Sequence, residues 1–175
     1  MNLQRVTSTT HPMFLTALEL YKASFPRQEQ RETLSQKKIL CESEYHFDLV
    51  YDRDIFVGLV LYWETENMIY IEHFCILPEE RNKKYGQKVL TLLKEKQKEC
   101  ILEIDLPIDD LSKRRKSFYE RCGFVENSYQ HIHPPYHRID SGHKLILMTH
   151  PEQLSREKYD AFHKYLIDRV MNQAF

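Results

Sequence analysis

Between Tyr45 and Leu77 three strand-like stretches follow one another: Tyr45 to Tyr51, Ile55 to Trp63 and Met68 to Leu77. Only Asp52-Arg53-Asp54 and Glu64 to Asn67 separate them. Connections this short leave neighbouring strands no choice but to run antiparallel, so a meander is the seed of the fold. From Tyr85 the period changes. Val89, Leu90, Leu92 and Leu93 recur at helical spacing until Cys100, and Ile101 to Leu106 returns to strand character, which makes a β-α-β unit.

The flanks extend this pattern. Gln4 to Thr7 reads as a short strand. Phe14, Leu15, Leu18 and Tyr21 mark an amphipathic helix that Phe25-Pro26 ends, and a polar helix is expected over Gln28 to Cys41. Leu111 to Arg121 reads as a helix, with Asp109, Asp110 and Ser112 at its start and Gly123 as the residue that stops it. Strands follow around Val125 to His133 and Lys144 to Met148. Pro151 is expected to open a last helix with the apolar stripe Tyr159, Phe162, Leu166 and Val170. The order predicts an α/β (α+β) domain over residues 1–175. Its mixed, mostly antiparallel sheet of six to seven strands carries helices on both faces, with 151–175 as a helical extension.

Composition narrows the function classes. Lys+Arg 25 against Asp+Glu 26 gives a net charge of -1, so no global field draws the chain to nucleic acid or to an anionic membrane. The longest apolar runs, such as Ile55 to Leu61, fall far short of the roughly 20 residues that span a bilayer, and a cytoplasmic location is expected. Cys41, Cys75, Cys100 and Cys122 lie far apart with no C-x-x-C pair, the pattern of reduced core thiols rather than of a disulfide frame or zinc site. Glycine occurs only at 58, 86, 123 and 142, which excludes both the Walker loop and the dinucleotide fingerprint G-x-G-x-x-G.

One segment remains suited to phosphate. The strand ending at Leu77 is followed by Pro78-Glu79-Glu80 and then by Arg81-Asn82-Lys83-Lys84-Tyr85-Gly86-Gln87, which opens a helix. Amides of a first helical turn have no partner within the helix and, with the dipole, attract a pyrophosphate. Arg81, Lys83, Lys84 and Lys88 add four positive charges in eight residues. Taken by itself, such a run is more often a solvated helix face than a phosphate site.

Ile76-Leu77-Pro78-Glu79-Glu80-Arg81-Asn82-Lys83-Lys84-Tyr85-Gly86 resembles motif A of the GNAT superfamily of N-acetyltransferases, whose usual form is V-x-P-x-x-R-x-x-G-x-G. Ser117-Phe118-Tyr119-Glu120-Arg121-Cys122-Gly123-Phe124 resembles motif B, F-Y-x-x-x-G-F. The resemblance runs from about Phe25 to Met148 and departs at Lys84, which stands where the family has its first glycine. It implies a GNAT-like sheet and acetyl-CoA as co-substrate. By the same resemblance, Phe74, Cys75 and Ile76 meet the pantetheine arm through their backbone. Arg81 and the amides of Asn82, Lys83, Lys84, Tyr85, Gly86 and Gln87 hold the pyrophosphate, and Ser112 occupies a position that contacts the cofactor in many relatives.

Amine acetylation needs a neutral attacking nitrogen and a proton for the departing thiolate. Tyr119 matches the family's acid; the plain alternative is a core aromatic beside Phe118 and Phe124. Glu72 is the first choice of base, as the resemblance implies, since family members often carry a Glu or His at the Glu72 or Tyr70 position. Alternation puts Tyr70, Glu72 and Phe74 on one strand face and His73 on the other, and the plain alternative for Glu72 is a strand-surface carboxylate. His131-x-His133-Pro134-Pro135-Tyr136-His137 raises the question of a metal. With no acidic or Cys ligand nearby in sequence, the cluster is placed with Arg138 at the acceptor pocket instead, and neither a metal nor a covalent enzyme intermediate is required. Phe25 to Arg31 resembles the acceptor-side helix region of relatives.

The expected activity is acetyl transfer to a primary amine of a small molecule or exposed peptide. The competing readings are a non-catalytic acyl-CoA-binding module and a terminal helix whose stripe buries against a second copy as a homodimer.

Overall fold

The structure is a computed structural model that describes residues 1–172 and 174. The meander forms as expected: β2 (Tyr45–Asp52), β3 (Ile55–Glu64) and β4 (Met68–Ile76) pair antiparallel, and β1 (Asn2–Arg5) adds to the β2 edge. Helix α3 (Tyr85–Lys94) then carries the chain to β5 (Glu99–Ile104), which pairs parallel with β4. After α4 (Asp110–Arg121), β6 (Val125–Glu126) and β7 (His131–His133) both pair with β8 (His143–His150), which itself lies beside β5. The eight-stranded sheet runs β1-β2-β3-β4-β5-β8-β6, with β7 also on β8. The single strand expected over Val125 to His133 is therefore two, because the step from Val125 to His131 is opposed by the shorter step from Thr149 to Leu145 and the strand must bulge.

Helices cover both faces. On one face α1 (Phe14–Ser24), α2 (Thr33–Ile39) and α5 (Arg156–Tyr165) bury Phe14, Tyr21, Tyr45, Trp63 and Phe162. On the other, α3 and α4 cover Ile69, Ile71, Leu102, Val89, Leu90 and Leu93. Helix α5 starts at a Ser155 cap, whose hydroxyl accepts the Lys158 amide, and not at Pro151. A turn of π-helix, Leu166–Val170, extends it. The stripe Tyr159, Phe162, Leu166 and Val170 is buried in the chain's own core, so it is no free surface for a second copy. Among the described residues, no helix is long and apolar enough to cross a membrane.

Two irregularities in β4 position the site. Leu61 pairs with His73 while Tyr62 pairs with Ile71, which leaves Glu72 as the extra residue of a bulge and flips the alternation beyond it. The expectation that His73 opposes Glu72 is thereby corrected. His73 meets Tyr21, Phe25 and Tyr136 on the α1 side, and Glu72 accepts a hydrogen bond from the same Tyr136. Phe74 turns instead toward Phe118 and the start of α3. The second irregularity is a splay. β4 pairs with β5 only from Met68–Glu99 to Ile71–Leu102, although β4 continues to Ile76 and β5 to Ile104.

Candidate active site

Where β4 and β5 part, a cleft of about 940 Å³ opens through the sheet. Its walls bring together Phe74, Cys75, Ile76, Arg81 and Tyr119 with Glu72, His73, Glu103, His133 and Tyr136. Backbone along Phe74 to Ile76 keeps its β3 partners, Gly58, Leu59 and Val60, on the outer edge. Among the described residues its inner edge pairs with no strand, and so it offers its amides and carbonyls to whatever fills the gap. The Cys75 thiol is pushed up to about 11 by burial and is not a nucleophile at neutral pH.

The loop beyond β4 is set by backbone conformation. Pro78–Glu80 forms one 3₁₀ turn, after which Asn82 (φ 65°) and Lys84 (φ 63°) are both left-handed. Lys84 is the N-cap of α3 and caps no amide with its side chain, so the first amides of that helix are left without a capping acceptor among the described residues. The cations expected to face phosphate are partly engaged elsewhere. Lys83 pairs with Glu80 at 2.9 Å, Lys88 sits 5.2 Å from the Tyr85 ring centroid, and Arg81 Nε donates to the Ile76 carbonyl at 3.3 Å. Tyr85 donates its hydroxyl to Asp52 at 2.9 Å, and Lys84 and Gln87 stay exposed. Gly86 has a packing cause, since a Cβ there would lie 3.1 Å from the Phe118 ring.

Helix α4 delivers Tyr119 to the cleft. Its start is a capping box in which Asp109 accepts the Ser112 amide at 2.7 Å and the Ser112 hydroxyl accepts the Asp109 amide at 3.1 Å. Ser112 is thus buried and its hydroxyl spent within the cap, which corrects its expected place among the cofactor contacts. At the other end Gly123 (φ 84°) lets the Phe124 amide reach back to the Tyr119 carbonyl at 3.0 Å. The Tyr119 ring packs edge-on to Phe118 and Phe124. Burial pushes its hydroxyl up to about 12, so it stays protonated throughout the neutral range.

The opposite wall is built on two buried carboxylates. Glu72, with its side chain 1% exposed, accepts from Arg31 Nη2, Trp63 Nε1 and the Tyr136 hydroxyl, each at 2.9 Å. Burial pushes this carboxyl up, but Arg31 and the other donors outweigh it and hold it at about 2. Taking a proton from an alkylammonium of pKa about 10 would cost such a carboxylate about 11 kcal/mol. Its place in the fold is that of an ionised anchor, and the expectation of Glu72 as base meets this physical objection.

Glu103 accepts from the Tyr70 hydroxyl at 2.6 Å and from His131 Nε2, with His133 Nε2 3.8 Å from its Oε2. Burial pushes Glu103 up too, and the positive charge that His133 and His131 carry when protonated, with the hydrogen bonds from His131 and Tyr70, brings it below the usual carboxylate value. His73 donates from Nε2 to the Glu29 carbonyl at 2.7 Å and is kept neutral by burial.

Arg31, Trp63, Glu103, His133 and Tyr136 were not singled out by residue role in the sequence. Arg31 and Tyr136 stand 41 and 64 positions from Glu72, and only the acceptor-side segments Phe25 to Arg31 and His131 to Arg138 hinted at them. The acidic partner that the histidine cluster lacks in sequence is Glu103, brought in by the sheet. Among the described residues, Glu29, Asp105 and His143 are the one group whose ligand atoms lie within 4.8 Å of each other. Asp105 already pairs with Arg115 at 3.1 Å.

Comparison with known proteins agrees with this architecture. The acetyltransferase (GNAT) domain family matches residues 43–126. A solved Bacteroides thetaiotaomicron protein described as an acetyltransferase from the GNAT family is 30% identical. That match covers 98% of each chain with a TM-score of 0.90. An aminoglycoside 6′-N-acetyltransferase complexed with coenzyme A (14% identity, TM-score 0.59) shares the fold over 85% of this chain and 96% of its own. Arabidopsis thaliana Naa50, in complex with the bisubstrate analogue CoA-Ac-MVNAL (16% identity, TM-score 0.60), does so over the same shares. No curated protein sequence matches significantly. Fold and matches together define an acyltransferase. The chain belongs to the GNAT family of N-acetyltransferases.

Proposed function

We propose that the protein moves an acetyl group from acetyl-CoA to a primary amine of a small molecule or peptide, as one domain over residues 1–175. The observation that carries this reading is the splay after Ile71 and Leu102. One cleft joins the α4 side, with Arg81 and Tyr119, to an acceptor side lined by Phe25, His73 and Tyr136. The residues present fit the cofactor. Unpaired strand backbone at Phe74 to Ile76 suits the amides of a pantetheine arm, and the left-handed Asn82 and Lys84 with the first turn of α3 make an anion-binding concavity. Proteins that share the fold have been solved with coenzyme A and with the bisubstrate analogue CoA-Ac-MVNAL, which supports a CoA thioester as the acyl donor.

On this reading the enzyme's work is positioning and proton control. The amine enters from the α1 side and its nitrogen meets the thioester carbon in the gap. Backbone N–H groups of the splayed strand stabilise the oxyanion. Tyr119 gives its proton to the departing sulfur, while Glu72 fixes Arg31 and Tyr136 behind the acceptor. The test is thiol release from acetyl-CoA in the presence of primary amines. Tyr119→Phe keeps the ring packing and is expected to bind CoA normally while turnover falls about 100-fold or more. Full turnover in that variant would remove Tyr119 from the chemistry. CoA binding without transfer to any of a broad set of amines would favour a non-catalytic module.

A further inference from the structure

Resting on that acetyltransferase reading, we propose that His133 is the group that takes the proton from the acceptor's ammonium. Its Nε2 and Glu103 Oε2 form the two-point cradle that receives the ammonium. The imidazole's tautomer follows from its contacts. Nδ1 lies 2.5 Å from the Pro134 carbonyl, which can only accept, so Nδ1 carries a hydrogen and, in the neutral imidazole, Nε2 carries the lone pair. That lone pair is buried in the cleft wall without a hydrogen-bond partner among the described residues, on a side chain 6% exposed. A buried acceptor left unmatched in a wall that faces a cavity is a place for a donor from outside the chain.

Glu103 completes the device. Its Oε2 lies 3.8 Å from His133 Nε2, too far for a bond between them. The spacing suits two N–H groups of one ammonium, one directed at each acceptor. Once Nε2 is protonated, the same carboxylate faces the new imidazolium charge. The carboxylate is held ionised for this by the Tyr70 hydroxyl and by His131. The groups facing His133 from elsewhere do not compete. Tyr136 presents its ring at 4.9 Å, His73 on β4 has its Nε2 hydrogen committed to the Glu29 carbonyl, and His143 is its register partner on β8 with its own side chain about half exposed and facing Asp105.

The step balances. R–NH₃⁺ gives one proton to Nε2 and becomes R–NH₂. The nitrogen lone pair attacks the acetyl carbon, the C–N bond forms and the C–S bond breaks with its electron pair leaving on sulfur. Sulfur takes a proton from Tyr119, the nitrogen loses its second proton to restore Tyr119 through solvent, and the proton on His133 is released to water. The net products are the amide, free thiol and one proton.

Two measurements on the full chain test this. Imidazole ¹⁵N spectra at pH 7.5, with the His133 signals identified by their loss in His133→Asn, are expected to show a protonated Nδ1 and a bare Nε2. An Nε2-protonated His133 at that pH would overturn the proposal, and this readout needs no turnover. The second measurement is kcat/KM against pH with acetyl-CoA and two probe amines. Phenethylamine is chosen for the rings of Phe25 and Tyr136, and 1,4-diaminobutane for the carboxylates Glu29 and Asp105. His133→Asn is expected to lose about 100-fold at pH 7 and to recover most of it near pH 10, where the amine is already neutral in solution, with CoA affinity unchanged. A loss independent of pH, or no loss at pH 7, would overturn it. Failure of the unaltered chain to acetylate any amine would instead sink the acetyltransferase reading, while the spectrum still decides the tautomer.

Discussion

Lys84 stands in the left-handed region at φ 63°, where a residue with a Cβ costs about 1 kcal/mol or more that glycine does not pay. The same residue opens α3 and places a cation beside its uncapped amides. Two substitutions separate these effects. Lys84→Gly is expected to raise stability by about 1 kcal/mol in urea unfolding, and Lys84→Ala to leave it unchanged or lower it slightly. If the charge contributes to phosphate binding, both variants weaken CoA by the same factor in calorimetry; tighter binding by the glycine variant alone would mean that the side chain obstructs the loop. Such single residues differ in how far the sequence discloses them. The roles expected of Tyr119 and of the Asn82 to Gln87 segment rest on the resemblance to motifs A and B, and local spacing supplied only the helix start beside them and the Gly123 stop. Ser112 was misread because a cap and a cofactor contact demand the same hydroxyl. The deprotonating group was illegible: the lone pair on His133 and the carboxylate of Glu103 lie on strands 30 residues apart, and only β-sheet pairing brings them together.

Between elements the strongest tie is the buried Glu72–Arg31 pair. Arg31 Nη2 reaches both Glu72 and the Val170 carbonyl, at 2.9 and 2.8 Å, and Tyr136 closes on Glu72 from the stretch after β7. One carboxylate thereby joins β4, the segment before α2, the acceptor loop and the C-terminal π-turn. Removing its charge strands Arg31 in the core, so Glu72→Gln is expected to cost about 3–5 kcal/mol at pH 7 by denaturant unfolding. The pH dependence has a definite sign. The folded carboxyl is depressed from 4.5 to about 2, so its contribution of about 3 kcal/mol is complete above the unfolded value and fades as pH falls through the folded one. Stability curves of the unaltered chain and Glu72→Gln should therefore converge between about pH 4.5 and pH 2. Parallel curves would show that the pair is not what stabilises this corner. Strands and helices were legible from period alone, whereas the bulge that puts Glu72 in this position was not. One inserted residue leaves the alternation regular on either side of it, and the reversal of phase it causes follows from the register between two strands, a property of the pair that neither strand encodes alone.

For the whole molecule the decisive property is that its sheet is joined across the middle by few pairs. The β1–β4 meander and the β5-β8 group meet only from Met68–Glu99 to Ile71–Leu102, and below that the two parts hold a cleft open between them. A splay is a failure of pairing between two strands that are each regular, which is why the β-α-β pattern announced the strands and not the gap. A ligand lying in the gap supplies what the sheet omits there, hydrogen bonds to the inner edge of residues 72–76 and apolar contact across it. It binds the folded chain and not the unfolded one, so it stabilises by mass action. CoA at about 100 times its dissociation constant is expected to add about 2.7 kcal/mol, which for a chain of this size is a rise in Tm of about 5–10 °C. Hydrogen exchange should slow specifically at residues 72–76 and in the first turn of α3. Tyr119→Phe should show the same rise, because on the proposed mechanism the phenol acts on the departing sulfur and not on binding. A rise in Tm without protection along residues 72–76 would place CoA outside the splay and remove the geometric basis for bringing amine and thioester together in one cleft.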